Sequence, residues 1–243
     1  DRPSEGTLHP IWIKALALTD GAGRRCILVT SDLCDMPKWL YESICFRVKA
    51  NHGLNRSQIR LTNSHNHSAP AVRGELEDYY PLAEEQRRRM DSYSLWLEEA
   101  FVRTIADALK DTVPVVVSTG EGHCGFAVNR RENRESDVPM IRAQGKRLKG
   151  QVDHSVAVLA VHNMDHSLMA VVFGYACHNT TLSSYQWSVT MRDLLNLISR
   201  IIIPAHRRCL SLVVEVIRIR FQDERSHLQS NMDVSYPIRF WKY

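Results

Sequence analysis

His65 and His67 stand one residue apart in the polar segment Asn63-Ser64-His65-Asn66-His67-Ser68-Ala69-Pro70. On an extended backbone, residues two apart project to the same face, so the two imidazoles are expected to converge as metal ligands do. H-x-H alone is more often a pair of loop histidines that hydrogen-bond locally. His178 shifts that balance, because it follows the apolar run Leu168 to Ala176 and a zinc site draws its nitrogens from separate segments. Arg130 and Arg131 lie in a run too polar for core, where a guanidinium can clamp a carboxylate or stabilise an oxyanion. With Glu132 and Glu135 beside them, they read equally well as a solvent-facing pair. His9, His52, His123, His154, His162 and His166 have no spacing that singles them out. The six cysteines are scattered without a C-x-x-C pair, so most read as plain buried thiols.

Elements that place these residues at strand ends can be read on either side of them. Ile11 to Leu18 is short and apolar and runs into Asp20-Gly21-Ala22-Gly23, a turn composition, with Cys26 to Ser31 as its hairpin partner. Lys38 to Asn51 carries Leu40, Ile44, Cys45 and Val48 near helical spacing and stops at Gly53, a C-cap residue. Ile59 to Thr62 is a brief strand that delivers the His65 segment. Asp91 to Asp111 has the longest helical period, with Asp91 as the expected N-cap. Val113 to Ser118 is a strand followed by a looser stretch. Ser155 to Val161 and Leu168 to Ala176 flank Asn163-Met164-Asp165-His166-Ser167 as a second hairpin, ending at His178. Hairpins and strand–helix alternation together predict an α/β fold, a mixed β-sheet flanked by helices with the site at strand-end loops.

Composition bounds the partners. The chain has 243 residues, 44% of them apolar, with 31 Lys+Arg against 27 Asp+Glu, which excludes disordered and collagen-like classes. No apolar run approaches the roughly 20 residues of a membrane-spanning helix, so no transmembrane segment is expected. Dispersed arginines without aromatic platforms argue against nucleic acid as a partner. Arg87-Arg88-Arg89, after Glu84-Glu85, reads as the solvated approach to a helix. Asp1 opens the chain without a Met or a basic-then-apolar leader, so any signal peptide is expected to be removed or missing. Residues 1–188 hold 22 basic and 22 acidic side chains, whereas residues 189–243 hold 9 and 5, and all 11 glycines lie at or before Gly174. This contrast suggests two unlike pieces, 1–188 and 189–243. In the second, Leu194 to Ile203 is apolar enough to pack, Pro204 interrupts it, and Leu210 to Phe221 alternates like a strand that can cover a sheet edge. An aberrant, out-of-frame or recombined origin is the other reading of that tail.

Three segments together resemble one family. Ser64-His65-Asn66-His67-Ser68-Ala69-Pro70 looks like the T-H-T-H-S-G-P loop of the neutral/alkaline ceramidases, zinc amidases that cleave the N-acyl bond of ceramide. Asn129-Arg130-Arg131-Glu132 is similar to the family's Asn-Arg segment, and Phe173 to Leu182 resembles its second histidine strand, especially in bacterial relatives. The resemblance covers about residues 3–188 and implies zinc as cofactor, His65 and His178 as ligands, His67 beside the substrate carbonyl and Arg130 at the polar head group. It also implies a lipid-like N-acyl substrate of the ceramide class, and export or membrane association.

Asn66 and Ala69 replace a Thr and a Gly of that loop. The family continues with an Asp-Tyr-x-Gly helix start, a serine loop and later a Glu and a Tyr in the zinc shell. None of these is found in 189–243, where Met232-Asp233-Val234-Ser235-Tyr236-Pro237 echoes the serine loop only faintly. The expectation is therefore an incomplete ceramidase-like portion, weakly active or inactive as this chain. The alternatives are a non-catalytic truncated remnant without metal and a zinc hydrolase acting on a different N-acyl or ester bond.

Overall fold

The computed structural model describes residues 4, 6–8, 10–75, 82–110, 112–178, 186–187, 212–217 and 221–223. The chain divides into two compact units, the first built mainly on residues up to Val115 and the second mainly on Val116–His178. The architecture is mixed α/β, as the alternation of elements predicts. Among the described residues, no helix is long and apolar enough to cross a membrane.

In the first unit, β1 (Gly6–Thr7) pairs in parallel with β8 (Gln186–Trp187). β2 (Trp12–Thr19) and β3 (Arg25–Ser31) form the expected hairpin, in register from Ile13↔Ser31 to Thr19↔Arg25. Asp20 closes the turn: one carboxylate oxygen accepts from the backbone N–H of Ala22 at 3.0 Å and of Arg24 at 2.9 Å. α1 (Lys38–His52) then crosses over, and Gly53 at φ 71 ends it with its N–H donated to Lys49 O. A 3₁₀ turn at Arg56–Gln58 leads into β4 (Ile59–Asn63), which pairs in parallel with β3 from Ile27↔Ile59 to Ser31↔Asn63. A parallel pair needs such a crossover, and it sends both chains out of the sheet at the same end.

α2 (Glu84–Ala108) covers this sheet and packs against α1 and β2. Ala15 and Ala17 of β2, Ile27 and Val29 of β3, Leu40, Ile44 and Val48 of α1, and Leu97, Phe101 and Ile105 of α2 make one buried core. Small alanines on β2 let α2 approach closely while larger residues fill the flanks. The helix starts a full two turns before Asp91, so Asp91 is an interior residue and not the N-cap. Gln86 Oε1 accepts the Ala83 N–H at 3.0 Å, and Glu84 and Glu85 reach Arg88 and Arg89 one turn on. The Arg87-Arg88-Arg89 run thus lies inside the helix, with Arg88 and Arg89 held by i,i+4 pairs.

β9 (Leu212–Ile217) and β10 (Phe221–Asp223) both pair antiparallel with β2. β9 falls inside the alternating Leu210 to Phe221 stretch and β10 begins at its end, whereas the Leu194 to Ile203 segment lies outside the described residues.

β5 (Thr112–His123), which passes from the first unit into the second at Val116, runs past the expected end at Ser118. A loop and the short α3 (Val138–Ala143) lead to β6 (Ser155–Asn163) and β7 (Leu168–Tyr175), an antiparallel pair with a register shift at Val161/His162. Their turn is held by Asp165, whose carboxylate accepts from Ser167 N at 2.9 Å.

Candidate metal centre

The first-unit site grows out of the parallel β3–β4 pair. Beyond their last paired residues the ladder continues into the loops, with Ser64 N donating to Ser31 O at 2.9 Å and Asn66 N to Leu33 O at 3.0 Å. The Asn66 side chain is fully buried between them: Nδ2 donates to Asp32 O at 3.1 Å, and Oδ1 accepts from Ser68 N at 3.0 Å. One amide therefore ties the β3 exit to the β4 exit. Asp32 in turn accepts the Trp12 N–H at 2.9 Å, and burial holds its carboxyl above the ordinary range. Asn66→Ala would strand two buried backbone partners, so it is expected to cost about 2 kcal/mol in urea unfolding. A loss below about 0.5 kcal/mol would show that the two loops are held without it.

His65 and His67 do meet, but not by the alternation of an extended strand. β4 ends at Asn63, and His65 takes a left-handed backbone, φ 51, that turns its ring back toward the β3 exit. His65 Nδ1 lies 2.9 Å from Cys34 O. A carbonyl only accepts, so Nδ1 carries a proton here, the tautomer that leaves Nε2 as the ring's acceptor atom. That Nε2 is 3.2 Å from His67 Nε2, with the rings edge to face at 86° and centroids 4.8 Å apart.

Cys34 is a neighbour of these rings that the spacing of the sequence did not disclose. Its Sγ is 4.0 Å from His65 Nδ1, and donor atoms of Cys34, His65 and His67 all lie within 4.8 Å of one another. The signal was topological: Cys34 follows β3 and His65 follows β4, and the parallel register sets the two exits side by side. Half-buried Cys34 is not one of the plain core thiols expected. Burial, then the nearby Glu75 carboxylate, pushes its thiol up to about 12.

Glu75 is 5% exposed and accepts the Val72 N–H at 3.3 Å. Burial raises its pKa from 4.5 to about 7, with Asp35 adding to the rise. Because the folded chain holds this proton where the unfolded chain has lost it, stability is full below about pH 4.5 and declines as pH rises to about 7. The decline is expected to be about 3 kcal/mol. Urea midpoints across that window should fall in the parent protein and flatten in Glu75→Gln; parallel profiles would refute the assignment.

His178 and Arg130 belong to the second unit. His178 follows β7 just after Cys177, whose N–H donates to Tyr175 O at 2.9 Å, and its Nδ1 is shielded from solvent. Arg130 is exposed on a turn shaped by Asn129, whose Oδ1 accepts the N–H groups of Arg131 at 3.2 Å and Glu132 at 3.3 Å. The buried Asn133 fastens that turn to Lys149 by a reciprocal pair, Nδ2 to Lys149 O at 2.8 Å and Lys149 N to Oδ1 at 2.9 Å. The structure thus brings His65 and His67 together and gives His178 and Arg130 their own surroundings in the second unit.

Two imidazoles and a thiol form a donor set of the kind that zinc takes. No protein-family model matches the chain, and no curated protein matches it. Solved structures do. A neutral ceramidase from Pseudomonas aeruginosa superposes with a TM-score of 0.59 at 20% identity, covering 75% of this chain and 29% of that one. A ceramidase complexed with C2 gives a TM-score of 0.58 at 19% identity, covering 73% of this chain and 28% of the other. The chain therefore spans less than a third of either ceramidase, and over about three quarters of its own length it carries the fold of part of a neutral ceramidase.

Proposed function

We propose that this chain is the metal-binding portion of a zinc-dependent amide hydrolase that acts on lipid-like N-acyl substrates of the ceramide class. The observation that carries this reading is the convergence of His65 and His67 at the β4 exit, 3.2 Å apart at Nε2, in a chain with ceramidase fold. His65 and His178 are the proposed zinc ligands. A zinc ion in that position supplies Lewis-acid polarisation of the carbonyl and an activated water. His67 stands beside His65, where an imidazole can hold or pass a proton at the scissile carbonyl. Exposed Arg130 offers a fork of donors to the polar head group. The ceramidase complexed with C2 supports an N-acyl lipid as substrate.

Proposed function and proposed domain limits, 1–188 as the ceramidase-like portion with 189–243 outside it, share one test. The full chain is assayed for fatty acid release from a short-chain ceramide with and without added zinc, beside His65→Gly. Glycine suits the φ of 51 at this position, so the variant removes the imidazole without straining the loop. Little or no release is expected from this chain, and any residual release is expected to depend on zinc and to be lost in His65→Gly. Release that survives the substitution would overturn the metal reading, and vigorous zinc-dependent release would overturn the reading of this chain as an incomplete portion.

A further inference from the structure

His123 and His154 are far apart in the sequence and meet in the second unit. β5 ends at His123 and β6 begins at Ser155, and the Cys124 N–H donates to His154 O at 2.8 Å, so the exit of one strand is stitched to the entry of the other. Asp153 fixes that entry: one carboxylate oxygen accepts from Ser155 N at 2.8 Å and from Ser155 Oγ at 2.7 Å. The two imidazoles lie beside each other at this seam, with centroids 5.4 Å apart and planes at 55°.

His154 Nδ1 is shielded from solvent and has no hydrogen-bond partner. A buried polar atom left in that state carries its desolvation cost with nothing to offset it. A neutral imidazole nitrogen is also the commonest metal ligand among side chains, so a cation satisfies such a lone pair as a hydrogen-bond donor would. The spacing of the rings suits one ion. With zinc–nitrogen bonds of about 2.0 to 2.1 Å and each nitrogen about 1.1 Å from its ring centre, a tetrahedral angle sets two bound imidazole centroids about 5.2 Å apart. His154 is half-buried and held at its backbone, whereas the exposed His123 side chain makes no hydrogen bond among the described residues and can turn to present a nitrogen. Exposed Glu121 stands two residues before His123 on β5 and shares its face, and Asp153 is next to His154, so both rings have a carboxylate nearby that favours a cation.

We propose that His123 and His154 form a two-histidine site for a divalent transition cation such as zinc, which clamps the β5 exit to the β6 entry. Imidazole suits zinc, copper and nickel alike, so the site selects the class of ion rather than one member of it. Among the described residues no third histidine, cysteine or carboxylate groups with these two rings, so water completes the shell. The site is structural: it involves none of His65, His67, His178 and Arg130, and it stands or falls separately from the proposed hydrolase activity. An ion that binds only the folded chain stabilises it by mass action.

The experiment is a calorimetric zinc titration of the metal-free full chain carrying His65→Gly, a background that removes the proposed first-unit ligand. Zinc binding is expected in this background, at least tenfold weaker once His123→Gln or His154→Gln is added and unchanged once His178→Ala is added. Urea unfolding should show a midpoint that rises with added zinc in the background and no longer rises with His123→Gln. Circular dichroism of the metal-free variants checks that each is folded; because His123 is exposed, His123→Gln carries the test alone if His154→Gln does not fold. Affinity in His123→Gln within threefold of the background, binding lost in His178→Ala, or no zinc bound at all would each overturn the site.

Discussion

His67→Ala is expected to lower whatever weak kcat/KM this chain has toward a short-chain ceramide by about 10²- to 10⁴-fold, about 3 to 5 kcal/mol of transition-state stabilisation, while leaving the first unit folded. The loop does not depend on this ring for its shape. Asn66 and Ser68 on either side are the buried residues, and the hydrogen bonds that hold the loop run through Asn66 and the backbone. The ring of His67 sits half-buried against His65, with its Nε2 aimed at the position where donors converge. Zinc content measured on the same variant separates two ways for the ring to act. Full zinc with a lowered kcat places His67 at the carbonyl, and lost zinc places it on the ion. Activity within threefold of the parent would remove His67 from the site altogether.

The second large effect is structural. Phe101→Ala is expected to cost about 4 kcal/mol, because a fully buried aromatic side chain leaves a cavity as well as losing its transfer free energy. Phe101 is 0% exposed and lies among Leu97, Ile105 and the small residues of β2. Those neighbours belong to a helix and a sheet and cannot collapse far into the space. A stability of typically 5 to 15 kcal/mol leaves little after such a loss. Urea unfolding should show a much lower midpoint, with Phe101→Leu falling between the two. A change below about 1 kcal/mol would mean that α2 does not carry the core of the first unit.

The hairpin of β2 and β3 was legible because Asp20-Gly21-Ala22-Gly23 can only turn, and α1 because four apolar residues and a C-cap glycine define its face and end. The start of α2 was not. Its apolar stripe begins at Met90, so periodicity is silent over the first turns, which satisfy themselves by Glu–Arg pairing and need no buried face. At the site, H-x-H spacing correctly pointed to convergence while giving the wrong backbone for it. Two positive reasons make the turn at His65: the pull of the ring toward Cys34 O and the anchoring of Asn66 beneath the β3 exit. Cys34 stayed hidden because 31 residues separate it from His65, and only the parallel register of β3 and β4 makes them neighbours. Glu75 stayed hidden for a related reason. A carboxyl raised to about 7 is a product of burial, which no local pattern of charges announces.

The left-handed backbone at residue 65 bears on what mutation can do there over time. Asparagine and aspartate are each a single nucleotide away from histidine, and both are among the residues that tolerate such a backbone. Position 65 thus has two inexpensive exits that keep the loop in shape and discard the imidazole. A lineage with no further use for the chemistry could take either without unfolding the protein, so the identity of this one residue is a sensitive record of whether the site has stayed under selection.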